Sequence, residues 1–170
     1  MTVSTAQILS DGFDRVRDEV ARVVDGLSSE QLAIRLAGEA NSIGWLVWHL
    51  TRVQDDHVAG AFGRQQVWLE GGWQARFGLP FEAADVGYGQ TSEQVGTAVG
   101  LDARGLVGYH HDVHRRTLEL LATLDDDDLE RIVDTNFVPP VTLAVWLVSV
   151  LSDDLQHVGQ AAFVRGLLDR

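Results

Sequence analysis

The chain has 170 residues, enough for one ordinary domain with its own core and too few for two. Apolar types make up 45% and charged types 22%, which excludes disordered, collagen-like and fibrous classes. Against 25 acidic residues stand 13 basic ones, all arginine, for a formal charge of -12, so neither nucleic acid nor an anionic membrane finds the basic cluster it would need.

There is no cysteine, hence no disulfide, no thiolate zinc site and no thiol nucleophile from the protein itself; thiol chemistry here must use a borrowed thiol. Residues Met1 to Asp11 show no basic segment followed by an apolar one, and no run reaches membrane-spanning length. A cytoplasmic location is the expectation that follows.

From Val3 to Leu27 the apolar residues Ile8, Phe13, Val16, Val20, Val23, Val24 and Leu27 track the helical period, while Asp11, Asp14, Arg15, Arg17, Asp18 and Arg22 interleave by sign as on a solvated face. A first long amphipathic helix is predicted. Ser28 with Gln31 stands at capping-box spacing, and Asn41 or Ser42 can cap a second long helix from Ile43 to about Phe62. Eight glycines and Pro80 punctuate the stretch from Gly63 to Leu101, which reads as a long crossing connection. Within it a short helix is predicted over Arg64 to Phe77, and Thr91 with Gln94 repeats the capping-box spacing.

Asp102 can cap a third long helix to about Leu124, with Leu106, Tyr109, Val113, Leu118 and Leu121 inward. The run Asp125 to Asp128 lacks the alternating ligands, central glycine and closing glutamate of an EF-hand, and is read as the cap of a turn over Leu129 to Val133. Pro139 and Pro140 delay the fourth long helix until Thr142, from which it runs almost to Arg170. No strand pattern of period two is evident. The prediction is an all-α protein: one domain over residues 1–170, a four-helix bundle with a long crossover between the second and third helices, of a kind that often holds a metal in its core.

The fourth helix is apolar nearly all round over Leu143 to Leu151 and Val158 to Leu168, as expected of a central buried helix. Polar residues interrupt its middle. Asp153 and His157, four apart, are neighbours on one face and suit two ligands of one metal ion. His49 lies in the apolar run Ile43 to Leu50 of the second helix and is a third candidate. Two imidazoles and a carboxylate on facing helices can hold Zn²⁺, Ni²⁺ or Fe²⁺ and leave coordination positions open, which points to catalysis. The same residues also fit a core histidine bonded to a carbonyl and a buried ion pair of Asp153 or Asp154 with Arg52 or another arginine. His110 and His114 on the third helix have equally good metal spacing, but Asp112, Arg115 and Arg116 around them read as a solvated face; His57, beside Asp55 and Asp56, is read the same way. The five tryptophans read as core, with the two on the crossover, Trp68 and Trp73, able to line a pocket mouth.

The segments Asn41 to Leu50 (NSIGWLVWHL) and Asp153 to Gln160 (DDLQHVGQ) resemble the two signature regions of the DinB-like superfamily, in particular an actinobacterial-type branch related to the metal-binding domain of mycothiol-dependent maleylpyruvate isomerase and to bacillithiol and mycothiol transferases. The resemblance implies a three-ligand metal site, with His49 as first ligand, His157 as last and Asp153 where the common pattern has histidine. It further implies a homodimer and a metal-dependent thiol S-transferase or isomerase, with a small-molecule substrate and a low-molecular-weight thiol as cosubstrate. In that setting Asp154 and Gln160 are expected to orient the ligands, and Arg52 to attract a substrate carboxylate. Two other readings stay open: a non-catalytic binding or dimerising module with a buried polar network, and a metal-activated hydrolase.

Overall fold

The computed structural model describes residues 3–168. Four long helices dominate: α1 (Thr5–Val24), α3 (Ile43–Ala61), α7 (Ala103–Leu121) and α8 (Leu143–Leu168). Short helices sit between them: α2 (Ser29–Leu32), α4 (Val67–Glu70), α5 (Trp73–Phe77) and α6 (Ser92–Val95). The chain is all-α apart from a two-stranded antiparallel ribbon, β1 (Ile132–Asp134) with β2 (Val141–Thr142). That ribbon was not expected. Its strands are too short for an alternating pattern to show in sequence, and β1 takes part of the stretch read as a helical turn.

Local chemistry explains where the helices start. Ser4, Ser28 and Thr91 each form a complete capping box with a glutamine three residues on, and Ser42 and Asp102 accept from the backbone N–H of Trp45 and Gly105. Asp125 Oδ1 accepts from the N–H groups of Asp127 and Asp128, so the acidic run caps a single 3₁₀ turn over Asp127–Glu130. The stretch read as one short helix over Arg64 to Phe77 is two, because Gly72 sits at φ +69° and breaks it.

In the bundle α3 packs most extensively on α8, and α1 and α7 close the other sides. Trp146 Nε1 donates to His57 O while His49 faces His157, so α3 and α8 run antiparallel. Thr51 meets His110 and Gln54 meets Thr117, so α3 and α7 run parallel, which the long crossover between them makes possible. On α1 the buried residue is Leu9, not Ile8, which is 63% exposed; on α7 Leu120 is buried and Leu118 only half-buried.

The fourth helix departs furthest from expectation. It buries a stripe of Leu143, Leu147, Val150, Asp154, Val158, Ala161 and Val164, but Val145, Val148, Leu155 and Phe163 face outward, each more than 45% exposed. A helix at the corner of a four-helix bundle has only part of its circumference covered. Its outer apolar residues are surface. No helix among the described residues is long and apolar enough to cross a membrane.

Candidate metal centre

His49, Asp153 and His157 converge between α3 and α8, each offering one ligand atom, all within 4.8 Å of one another. The imidazoles of His49 and His157 meet edge to face with ring centroids 4.7 Å apart. His157 Nε2 lies 3.5 Å from Asp153 Oδ1, one helical turn away, and Asp153 Oδ2 is buried with no hydrogen-bond partner among the described residues. An unpaired buried carboxylate oxygen beside two imidazole nitrogens is the donor set of a divalent cation site of nitrogen and oxygen type.

Each imidazole is held from behind. His49 is buried and stacks on Trp45 at 4.6 Å with rings nearly parallel, and its Nδ1–H donates to the carbonyl of Val86 on the crossover. A carbonyl only accepts, so the neutral ring keeps its lone pair on Nε2. His157 Nδ1 donates in the same way to Gln160 Oε1 at 3.1 Å, leaving Nε2 toward Asp153. These are the contacts through which metal-binding imidazoles are usually oriented.

The electrostatics favour the charges a cation needs. Burial lowers the pKa of His49 against the opposing pull of its bond to Val86, so it stays neutral at pH 7. Burial pushes Asp153 up, but its hydrogen bond and charge interaction with His157, helped by His49 and His57, outweigh this and hold it below the ordinary carboxylate value. The bond to Asp153 raises His157 against its own burial. In the metal-free protein Asp153 and His157 therefore form an ion pair over the acidic side of neutrality, and a cation entering the site displaces the His157 proton.

The crossover reaches this site by a specific route. Gly87, at φ +91°, lies so close that a Cβ there would be 2.8 Å from His49 Nδ1 and 3.0 Å from both Trp45 and Trp48. Asp85 pins the turn, accepting from Gly87 N and Gln90 Nε2, and Gln90 accepts from Trp45 Nε1. A Gly87→Ala variant is expected to push the Val86 carbonyl off His49 and weaken metal binding about 10- to 100-fold, the usual scale for disturbing an outer contact. Competition with a chromophoric chelator measures this, and unchanged affinity shows the loop to be passive.

The other candidates fall elsewhere. Arg52 does not reach the cavity: it is fully buried, 3.7 Å from Asp55, stacked over Trp68, and donates to Gln66, Tyr109 and the carbonyls of Ala83 and Asp85. Its guanidinium is used up in tying the crossover to α3, so it cannot also receive a substrate carboxylate. Asp55 belongs to the same network, accepting from Val67 N, Trp68 N and Tyr109 Oη. Asp154 is fully buried on the inner face of α8, and neither carboxylate oxygen has a partner among the described residues, so it touches none of the three ligands by hydrogen bond.

His110 and His114 are buried, not solvated as their charged neighbours suggested. The α7 face at 106, 110, 113, 114 and 117 points inward, while Arg115 and Arg116 lie around the helix from it. Thr51 Oγ1 donates to Val47 O and so accepts from His110 Nδ1, and His114 donates to Asp14. Burial drives the His110 pKa down to about 3. Neither histidine joins a group of three metal-ligating side chains among the described residues.

A cavity of about 570 Å³ opens beside the ligands, with His49 and Asp153 in its wall. It is His57, Trp146, Tyr88 and Phe137 that sequence reasoning missed here; Trp68 and Trp73 are buried in the core, as read, and neither lines this cavity. One signal was available: His49, Val53 and His57 follow each other at four-residue steps along α3 and share a face. Nothing local marks Trp146, which meets His57 only because α3 and α8 pack antiparallel.

Comparison with known proteins agrees with this architecture. The sequence profile of the DinB superfamily matches residues 12–161. The crystal structure of a conserved protein from Enterococcus faecalis is similar over 96% of this chain and 96% of its own, with a TM-score of 0.88 and 26% sequence identity. Among curated proteins none matches the chain.

Proposed function

The chain belongs to the DinB superfamily, whose members commonly bind metal, and on that premise we propose that it is a metal-dependent enzyme acting with a low-molecular-weight thiol, as an S-transferase or isomerase of the mycothiol type. The observation that carries this reading is a three-ligand set opening on a cavity, in a chain with no thiol of its own. His49, Asp153 and His157 would hold a zinc, nickel or iron dication, which when bound would supply positive charge to lower the pKa of the thiol cosubstrate. The chain's own groups do the rest. His49 and His157 present Nε2, fixed by Val86 and Gln160, and Asp153 supplies the single negative charge of the set. The thiol gives up its proton as it binds, and His57, on the same cavity wall with Nδ1 3.3 Å from Asp56, can take it on its other ring nitrogen. The thiolate sulfur then forms the new C–S bond as the electrophile's leaving group departs with its electron pair, or, in an isomerisation, adds reversibly and is expelled again. The apolar walls keep water from competing with the thiol.

Metal analysis of untagged protein, followed by a thiol-dependence assay, tests this. About one equivalent of metal and turnover of a test electrophile only with added thiol is the expected result. Below about a tenth of an equivalent, with no stabilisation by Zn²⁺ or Ni²⁺, the non-catalytic module replaces it. Turnover without thiol makes it a metal-activated hydrolase. The reading includes a cytoplasmic location, where small thiols stay reduced, and a homodimer formed through the outward apolar residues Val148, Leu155 and Phe163 of α8. Light scattering on the Phe163→Asp variant checks the dimer, which that charge should dissociate.

A further inference from the structure

The cavity has a chemical bias beyond its place beside the ligands. No arginine among the described residues lines it and the chain contains no lysine, so the formally charged side chain in its described wall is Asp153, which His157 pairs at 3.5 Å. Away from the ligands the wall is made largely by Val53, Val86, Val141, Val145 and Val150 with the ring of Trp146, and the Ser149 hydroxyl there already donates to the carbonyl of Val145. That ring is fixed: its Nε1 donates to His57 O at 3.0 Å, and the His57 imidazole stacks on it at 5.0 Å.

The mouth is also aromatic. Tyr88, on the crossover, is 92% exposed, and Phe137, in the connection between β1 and β2, is 58% exposed. Both line the cavity although they come from segments far apart in sequence. Aromatic rings normally bury most of their surface, so two left in water at one opening hold apolar area that a ligand can cover.

We infer that the cavity takes a substrate with an uncharged, planar aromatic body, lying on Trp146 and closed over by Tyr88 and Phe137. This rests on reading the cavity as the substrate site of the proposed enzyme. An anionic body pays desolvation with no cationic side chain among the described wall residues to receive it. A flat apolar body covers valine methyls and ring faces with no such penalty, and the volume is ample for a molecule of two or three rings. The substrate carboxylate for which Arg52 was expected to be the partner has no counterpart here, because that guanidinium is buried and bonded to Gln66, Tyr109 and the carbonyls of Ala83 and Asp85.

Two fluorescent probes with the same rings test the inference: N-phenyl-1-naphthylamine, which is neutral, and 8-anilino-1-naphthalenesulfonate, which adds a sulfonate. On the metal-free protein the neutral probe is expected to bind one to one and at least about tenfold more tightly than its sulfonate. The Tyr88→Ala/Phe137→Ala double variant should lose about tenfold in affinity for the neutral probe with an unchanged thermal melt, since both rings are exposed. Equal or tighter binding of the sulfonate overturns the inference, as does neutral-probe binding that the double variant leaves intact, which would place the probe on the outer face of α8. Probe binding requires neither metal nor thiol. Selective neutral-probe binding in a protein with no thiol-dependent turnover therefore supports this ligand class while removing the proposed reaction.

Discussion

A His49→Ala variant is expected to lose metal binding by more than about a hundredfold, because it removes a ligand outright where disturbing an outer contact costs 10- to 100-fold. His157→Ala should behave alike, and Asp153→Asn nearly so, since the amide keeps the shape but loses the charge that balances the cation. Asp153→His, by contrast, restores a nitrogen donor and should retain metal. Isothermal titration with Zn²⁺ in the absence of a metal-affinity tag reads all four. The pH dependence is part of the same expectation. His157 has a raised pKa through Asp153, so below neutrality it holds a proton that the cation must displace, and affinity falls as pH falls. The metal-free protein shows the complement. The raised His157 contributes stability that is full below its ordinary value of 6.5 and is lost as pH rises through its folded-state value. The lowered Asp153 contributes stability present above its ordinary value of 3.8 and lost as pH falls through its folded-state value. The ion pair thus acts in the window between. If His49→Ala and His157→Ala bind Zn²⁺ like the parent, the convergence of the three side chains is not a metal site.

The Asp154→Asn variant is expected to be more stable than the parent at pH 8, by about 2 kcal/mol, from the usual penalty of an unpaired buried polar or charged group. Spread over a chain of this size, that corresponds to a melting temperature about 4–8 °C higher. Asp154 is fully buried with both oxygens unpartnered, and burial, reinforced by the charge of Asp153, raises its pKa well above the usual carboxylate value. With the folded pKa above the unfolded one, the carboxyl fits best when protonated. Its favourable share is full below an ordinary value of 3.8 and drains away as pH rises toward the folded-state value. The gain from asparagine should therefore be large at pH 8 and small at pH 5. Circular dichroism melts at the two pH values decide it. A lower melting temperature at both shows that the carboxyl has a partner in solution that the amide cannot replace.

Much of the helical order was legible, and the reasons are local. Ser28, Ser42, Thr91 and Asp102 start helices through bonds to residues three positions on, so the signal and its cause lie in the same few residues. The two ligand-bearing segments were legible for a similar reason: Asp153 and His157 are one turn apart, and His49 interrupts an apolar run. What failed depended on neighbours distant in sequence. His110 and His114 sit among charges that mark a solvated face, yet α1 and α3 close over them. The apolar outer residues of α8 suggested burial all round, yet the helix stands at a corner. Arg52 is one turn from His49 and still points away from the cavity, because the crossover folds back to claim its guanidinium.

Helix positions, caps, the crossover and the residue types able to hold a cation were determined by sequence alone, because propensity, capping and periodicity act over a turn or two of chain. Tertiary structure decided which face of each helix is inside, that His49 meets Asp153 and His157 within ligand distance, and that the cavity beside them is apolar and aromatic. Those outcomes follow from how α3 and α8 pack and where the crossover lands. The energy of such packing is shared among residues a hundred positions apart, and no local window contains it.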